Sequence, residues 1–131
     1  MPNIAMYARV GVETGVASAS PHKLVAMLFD GFMESISQAK GALAAGEIEA
    51  KCRAIARALR IVDEGLKACL DLRVGGALAV DLSDLYAYVT VRLMHANVHS
   101  DVAALDECQS LMQPLREAWT SIAPQADTAR G

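Results

Sequence analysis

Aromatic residues are scarce in this 131-residue chain, 5% in all with a single Trp, and charged residues reach only 21%. The formal net charge is −3, with acidic and basic residues interleaved. A protein that grips a phosphate backbone needs a dense basic patch, so nucleic acid is excluded as a partner. Cysteine is limited to Cys52, Cys69 and Cys108, an odd number without a CxxC pair. Each falls on an apolar helical stripe and reads as a buried reduced thiol. There is no Gly-x-Ser-x-Gly, no glycine-rich phosphate loop and no His-Glu-x-x-His. His95 and His99 have a zinc-compatible spacing but no third ligand of matching spacing, and are expected in solvent. The chain is therefore read as a non-enzyme, with no catalytic residue, cofactor or metal. No apolar run reaches the roughly 18 residues of a membrane span. The start, Met1 to Tyr7, lacks the basic stretch and apolar run of a signal peptide. A cytosolic protein without membrane insertion is the expectation.

What the chain does have is apolar material, 53% of its residues, enough for one core. Its periodicity predicts four helices. The first opens with Ser20 as N-cap and Pro21 at the first helical position. It carries Val25, Phe29, Phe32, Ile36, Ala39 and Leu43 on one stripe and ends near Gly46. The second aligns Ile48, Cys52, Ile55, Leu59, Val62, Leu66 and Cys69. Residues 72–80, with Gly75-Gly76, read as a loop. The third begins about Asp81 and aligns Leu82, Leu85, Tyr86, Val89, Leu93 and Ala96. After a tight turn near 99–101, the fourth aligns Leu105, Cys108, Met112, Leu115, Trp119 and Ile122. Short links make neighbours antiparallel, so the expected fold is all-α, an antiparallel four-helix bundle over residues 20–122. Residues 1–19 form an arm before it, and the polar residues 123–131 form a disordered tail after it.

Two helices carry more apolar surface than one stripe. The third has a second row of Ala87, Val91, Met94 and Val98, nearly opposite its first. The second has a row of mostly small residues, Ala50, Ala54, Ala58, Ile61, Gly65, Ala68 and Leu72. Either these rows pack inside the bundle, or they line a groove for an amphipathic helix from a partner. The arm is also apolar, with Ile4, Met6, Tyr7, Val10, Val12 and Val16, while Gly11 and Gly15 break any long helix. Such a segment should dock on the bundle as a strap or as a displaceable lid.

Two runs add a family likeness. They are Ser18-Ala-Ser-Pro-His-Lys-Leu-Val-Ala-Met-Leu-Phe-Asp-Gly31 and Leu85-Tyr86-x-Tyr88-x-x-x-Arg92-Leu93-x-x-Ala96-Asn97-x-x-x-Asp101, completed by Arg116-Glu-Ala-Trp119. In order and spacing, from about Tyr7 to Trp119, they resemble the FliS family of flagellar secretion chaperones. Phe29 departs from the family's usual Tyr, Val91 replaces the first of two adjacent arginines, and Pro114 is unexpected inside the last helix.

The resemblance implies a cytosolic chaperone that binds the C-terminal helical segment of flagellin, prevents premature polymerisation and aids type III export. It favours the groove reading of the extra rows, at Ala54, Ile61, Gly65, Ala68, Leu72, Ala87, Val91, Met94 and Val98, and the lid reading of the arm, with Ile4, Tyr7 and Val10 capping the groove in the free protein. Flagellin and a component of the export apparatus are the implied partners, and the free protein is expected as a monomer or weak homodimer. A histidine phosphotransfer bundle using His22 and a general helix-binding adaptor are the alternatives.

Overall fold

The computed structural model describes residues 20–70 and 72–122. The expected arm with Ile4, Tyr7 and Val10, and the expected tail, lie outside these residues.

The first helix, α1 (Pro21–Ala45), has both of the ends read from the sequence. The Ser20 hydroxyl accepts from the Lys23 amide at 3.2 Å, and Pro21 occupies the first turn, where no N–H is needed. Gly46 closes the helix with φ 74°, a left-handed value that suits glycine. Its amide and that of Glu47 bond back to Leu43 and Ala42, at 3.2 and 2.9 Å. The chain reverses at once into α2 (Ile48–Arg60). Helical structure then continues as a π-helical stretch, Ile61–Leu66, and a 3₁₀ turn, Lys67–Cys69. The stripe read from Ile48 to Cys69 is thus one rod whose second half is widened.

The third helix differs from the expectation. α3 spans Leu72–His99, so residues 72–80 are helical on both sides of a break and do not form a loop. Within α3 only Gly76 leaves helical geometry, with φ 59° and ψ −137°. A side chain would be strained there, but Ala77, Leu78 and Ala79 just beyond are strong helix formers, so the helix resumes at once. A turn at Ser100 leads to α4 (Val102–Ser121), whose N-cap Asp101 accepts the amides of Ala103 and Ala104 at 3.0 and 3.4 Å. α4 continues through Pro114. The proline deprives the Ser110 carbonyl of its partner, and both residues lie on the exposed side of the helix.

Each helix packs against its two neighbours in ring order α1, α2, α3, α4. Cross-helix pairs give the directions. Asp30 and Lys40 of α1 meet Arg116 and Asp106 of α4, while Leu28 and Gly31 lie against Gly65 and Arg57 on the α2 rod. Lys51 of α2 meets Asn97 of α3, and Val89 of α3 meets Cys108 of α4. Rising numbers on one helix meet falling numbers on the next in the first two pairings, and the short turns fix the others. The bundle is antiparallel throughout.

Its centre is filled by Leu28, Phe32 and Ile36 of α1, Ile55, Val62 and Leu66 of the α2 rod, Val89 and Leu93 of α3, and Leu105 and Met112 of α4. The α1–α2 approach is closest at two glycines. A Cβ on Gly65 would lie 2.9 Å from Leu28 Cδ2, and one on Gly31 would lie 3.2 Å from Ile61 Cδ1. Among the described residues, no helix is long and apolar enough to cross a membrane.

Candidate functional site

Among the described residues, ion pairs cross three of the four seams. Between α1 and α2, Arg57 reaches Glu34 at 2.9 Å and the Ser35 hydroxyl at 3.1 Å. Between α1 and α4, Lys40 pairs with Asp106 and Arg116 with Asp30, each at 2.6 Å. His22 and Trp119 close that seam by stacking, ring centroids 4.8 Å apart. The indole N–H donates to the His22 carbonyl at 2.9 Å, and His22 Nε2 meets the Trp119 carbonyl at 3.0 Å. Between α3 and α4, Glu107 accepts from Tyr88 at 2.5 Å and from Arg92 at 2.7 Å. His95 meets Asp101 at 3.1 Å, its ring centroid 4.5 Å from that of His99. The hydrogen bond from Tyr88, then that from Arg92, holds the Glu107 carboxyl below its ordinary range. Burial pushes the Cys108 thiol up to about 12, which keeps it protonated and unreactive.

The α2–α3 seam is different. Among the described residues no ion pair crosses it, and its polar crossing is Lys51, buried, donating to the Asn97 carbonyl at 2.8 Å and the Ser100 hydroxyl at 3.1 Å. On α3, Val91, Met94 and Val98 stand in solvent, 62%, 54% and 77% exposed, with Ala87 in line one turn earlier. At 100° per residue this row lies nearly opposite the core stripe, between the flank of Tyr88, Arg92 and His95, which meets α4, and that of Asn97, which meets α2. The same arithmetic places Cys52 and Leu59, both half-buried, on the flank of α2 that faces α3.

The nine residues read from the sequence do not share one face. Ala87, Val91, Met94 and Val98 stand together in solvent, but Ala54, Ile61 and Gly65 are buried, with Ile61 and Gly65 pressed against α1. Ala54 also borders a shallow α1–α2 groove of about 470 Å³ with Ala42, Ala50 and Arg53. Ala68 is half-buried, and the side chain of Leu72 lies outside the described set. Sequence reading missed Ile48, placed on the core stripe but 55% exposed at the start of α2. Its position in the first turn, at the mouth of a two-residue link, was the available signal. His22 is buried and both its ring and its carbonyl are engaged by Trp119, which is no place for an accessible phosphotransfer histidine.

A bundle braced by ion pairs that leaves an apolar row of α3 in solvent suits a protein that binds helices. The family profile described as "Flagellar protein FliS" matches residues 3–126. The chain belongs to the FliS family. It is 45% identical over 123 residues to the flagellar secretion chaperone FliS of Salmonella typhimurium, covering 94% of this chain and 91% of that one. Similarity to FliSB of Pseudomonas aeruginosa is 36% over 93% of this chain and 96% of the relative. To FliS of Escherichia coli it is 36%, over 86% and 83%. Membership places the chain among the flagellar secretion chaperones, which are not enzymes. His22 and Trp119 of the two FliS-like runs, far apart in sequence, meet at the α1–α4 clasp.

Proposed function

We propose that this FliS chain holds the C-terminal helical segment of flagellin in the cytosol, against the exposed outer face of α3. The observation that carries the assignment is the row Ala87, Val91, Met94 and Val98, apolar and open to solvent along that face. From Ala87 to Val98 the row runs roughly 16 Å, about three helical turns, which matches a short amphipathic helix laid alongside. Met94 supplies a contact that adapts to differing apolar partners. An unfolded flagellin terminus has its apolar face uncovered, and covering it prevents premature polymerisation. The ordering of that terminus on binding limits the affinity, so that a component of the export apparatus can take the subunit onward. In this reading residues 1–19, anchored by Ile4, Tyr7 and Val10, compete for the same face until the substrate displaces them, and the free protein is a monomer or weak homodimer.

Two aspartate substitutions test the assignment, because they fall on the two sides of the α2–α3 pair. Val91→Asp places its charge in solvent in the free protein, so helix content and melting temperature are expected to stay near wild type. Binding of a flagellin C-terminal peptide is expected to be lost, since the complex would strand the carboxylate in a dry contact. Ile61→Asp buries its charge against Gly31 and is expected to cost more than about 3 kcal/mol of stability. Peptide binding by folded Val91→Asp at wild-type affinity contradicts the proposed face.

A further inference from the structure

Lys51 is 3% exposed, yet among the described residues no carboxylate pairs with it. Burying an ammonium without a counter-ion is costly, and an apolar side chain at that position would avoid the cost. What the ammonium meets is the end of α3. The Asn97 carbonyl belongs to the last turn, where carbonyls have no partner within the helix, and the helix dipole places partial negative charge there. The Ser100 hydroxyl supplies the second acceptor, from a residue held at φ 50° in the turn to α4. The same turn is tied back by the Asp101 amide to the Ala96 carbonyl at 3.1 Å. Lys51 therefore caps α3 from a different helix.

Two features separate this arrangement from a device for stability alone. Asn97 Oδ1, on the same residue, is buried without a hydrogen-bond partner, so the polar cluster is not fully satisfied. Locally unfavourable choices of this kind concentrate where a protein needs a defined geometry. The cluster also lies at one end of the exposed row. Val98 follows Asn97, and Ile48, itself exposed, stands one turn before Lys51. Hydrophobic contacts across the rest of the seam tolerate sliding, whereas two bonds from one nitrogen do not.

We propose that Lys51 is a positioning residue for substrate binding, fixing the spacing and register of α2 against the end of α3 so that the exposed Ile48 and the Val98 end of the row keep one geometry. The inference rests on the binding face proposed above and assigns it a control residue that never touches the substrate.

The test is calorimetric titration of the full-length protein with a flagellin C-terminal peptide, at a temperature where each variant is folded. Lys51→Met keeps the length of the side chain and removes the charge. It is expected to weaken binding about tenfold, the scale of a lost preorganising interaction. Ile36→Val and Leu28→Ala, core changes outside the Lys51 cluster, the second against Gly65 at the far end of the α2 rod, bracket the accompanying loss of melting temperature and are expected to bind within about twofold of wild type. Ser100→Ala removes one acceptor and is expected to weaken binding about threefold, which gives a second reading should Lys51→Met not fold. Wild-type affinity in Lys51→Met, or in Ser100→Ala where it is the only folded variant, overturns the proposal, as does an equal loss in the two core controls. Loss in Val91→Asp together with wild-type affinity in Lys51→Met removes the positioning role and leaves the face standing. Retained binding in Val91→Asp removes both.

Discussion

Arg92 and Val91 are neighbours in the chain with opposite surroundings. Arg92 is tied to Glu107 at 2.7 Å, while Val91 is 62% exposed on the face opposite the core. The boundary between the seam with α4 and the open face of α3 therefore falls between two consecutive residues. On the α4 side, Glu107 has an acid signature. Hydrogen bonds from Tyr88 and then Arg92 hold its carboxyl below the ordinary value of 4.5. The folded state thus takes up this proton less readily than the unfolded state, so the stabilisation is present above the ordinary value and is lost as pH falls through the depressed one. Melting temperatures of wild type and Glu107→Gln, compared from pH 7 down to pH 3, are expected to differ most at neutral pH and to converge in acid. A gap that stays constant with pH would show that the carboxylate charge contributes nothing.

At the scale of elements, the ends of helices were the most legible part of the sequence. Ser20-Pro21 and Gly46 bound α1 as read, because capping chemistry is local and needs no knowledge of the neighbours. The stripes likewise gave four helices and their antiparallel order. Two things were not legible. Gly75-Gly76 read as a loop because paired glycines usually break helices, but one residue's dihedral change suffices for the kink and the flanking residues keep helical geometry. The small-residue row of α2 read either as packed inside the bundle or as lining a groove, and Gly65 and Ile61 are covered by α1. Periodicity shows that a helix has two apolar sides and does not say which neighbour covers which. The exposed row on α3 was correctly seen as a second face, since it lies nearly opposite the stripe that fills the core. The kink itself is testable. Gly76→Ala forces a side chain into φ 59° and ψ −137° and is expected to cost about 1–3 kcal/mol by denaturant unfolding. A gain in stability, as helix propensity alone would give, would mean that α3 runs unbroken through residue 76.

For the whole molecule, the distribution of polar contacts separates framework from the proposed binding face. Salt bridges and the His22–Trp119 clasp hold α1 to α2 and α4, and α3 to α4, while the outer face of α3 carries an apolar row. A chaperone must release its cargo, and a short exposed row beside a rigid frame binds through few contacts and needs no rearrangement of the core. Methionine methyl groups report this division directly, because Met94 stands on the row at 54% exposure while Met112 is fully buried. The decisive measurement is a methyl NMR titration of methionine-labelled protein with the flagellin C-terminal peptide. The account predicts that the Met94 methyl signal shifts and saturates with the binding isotherm while that of Met112 stays in place. A Met94 signal unmoved at saturating peptide would contradict it.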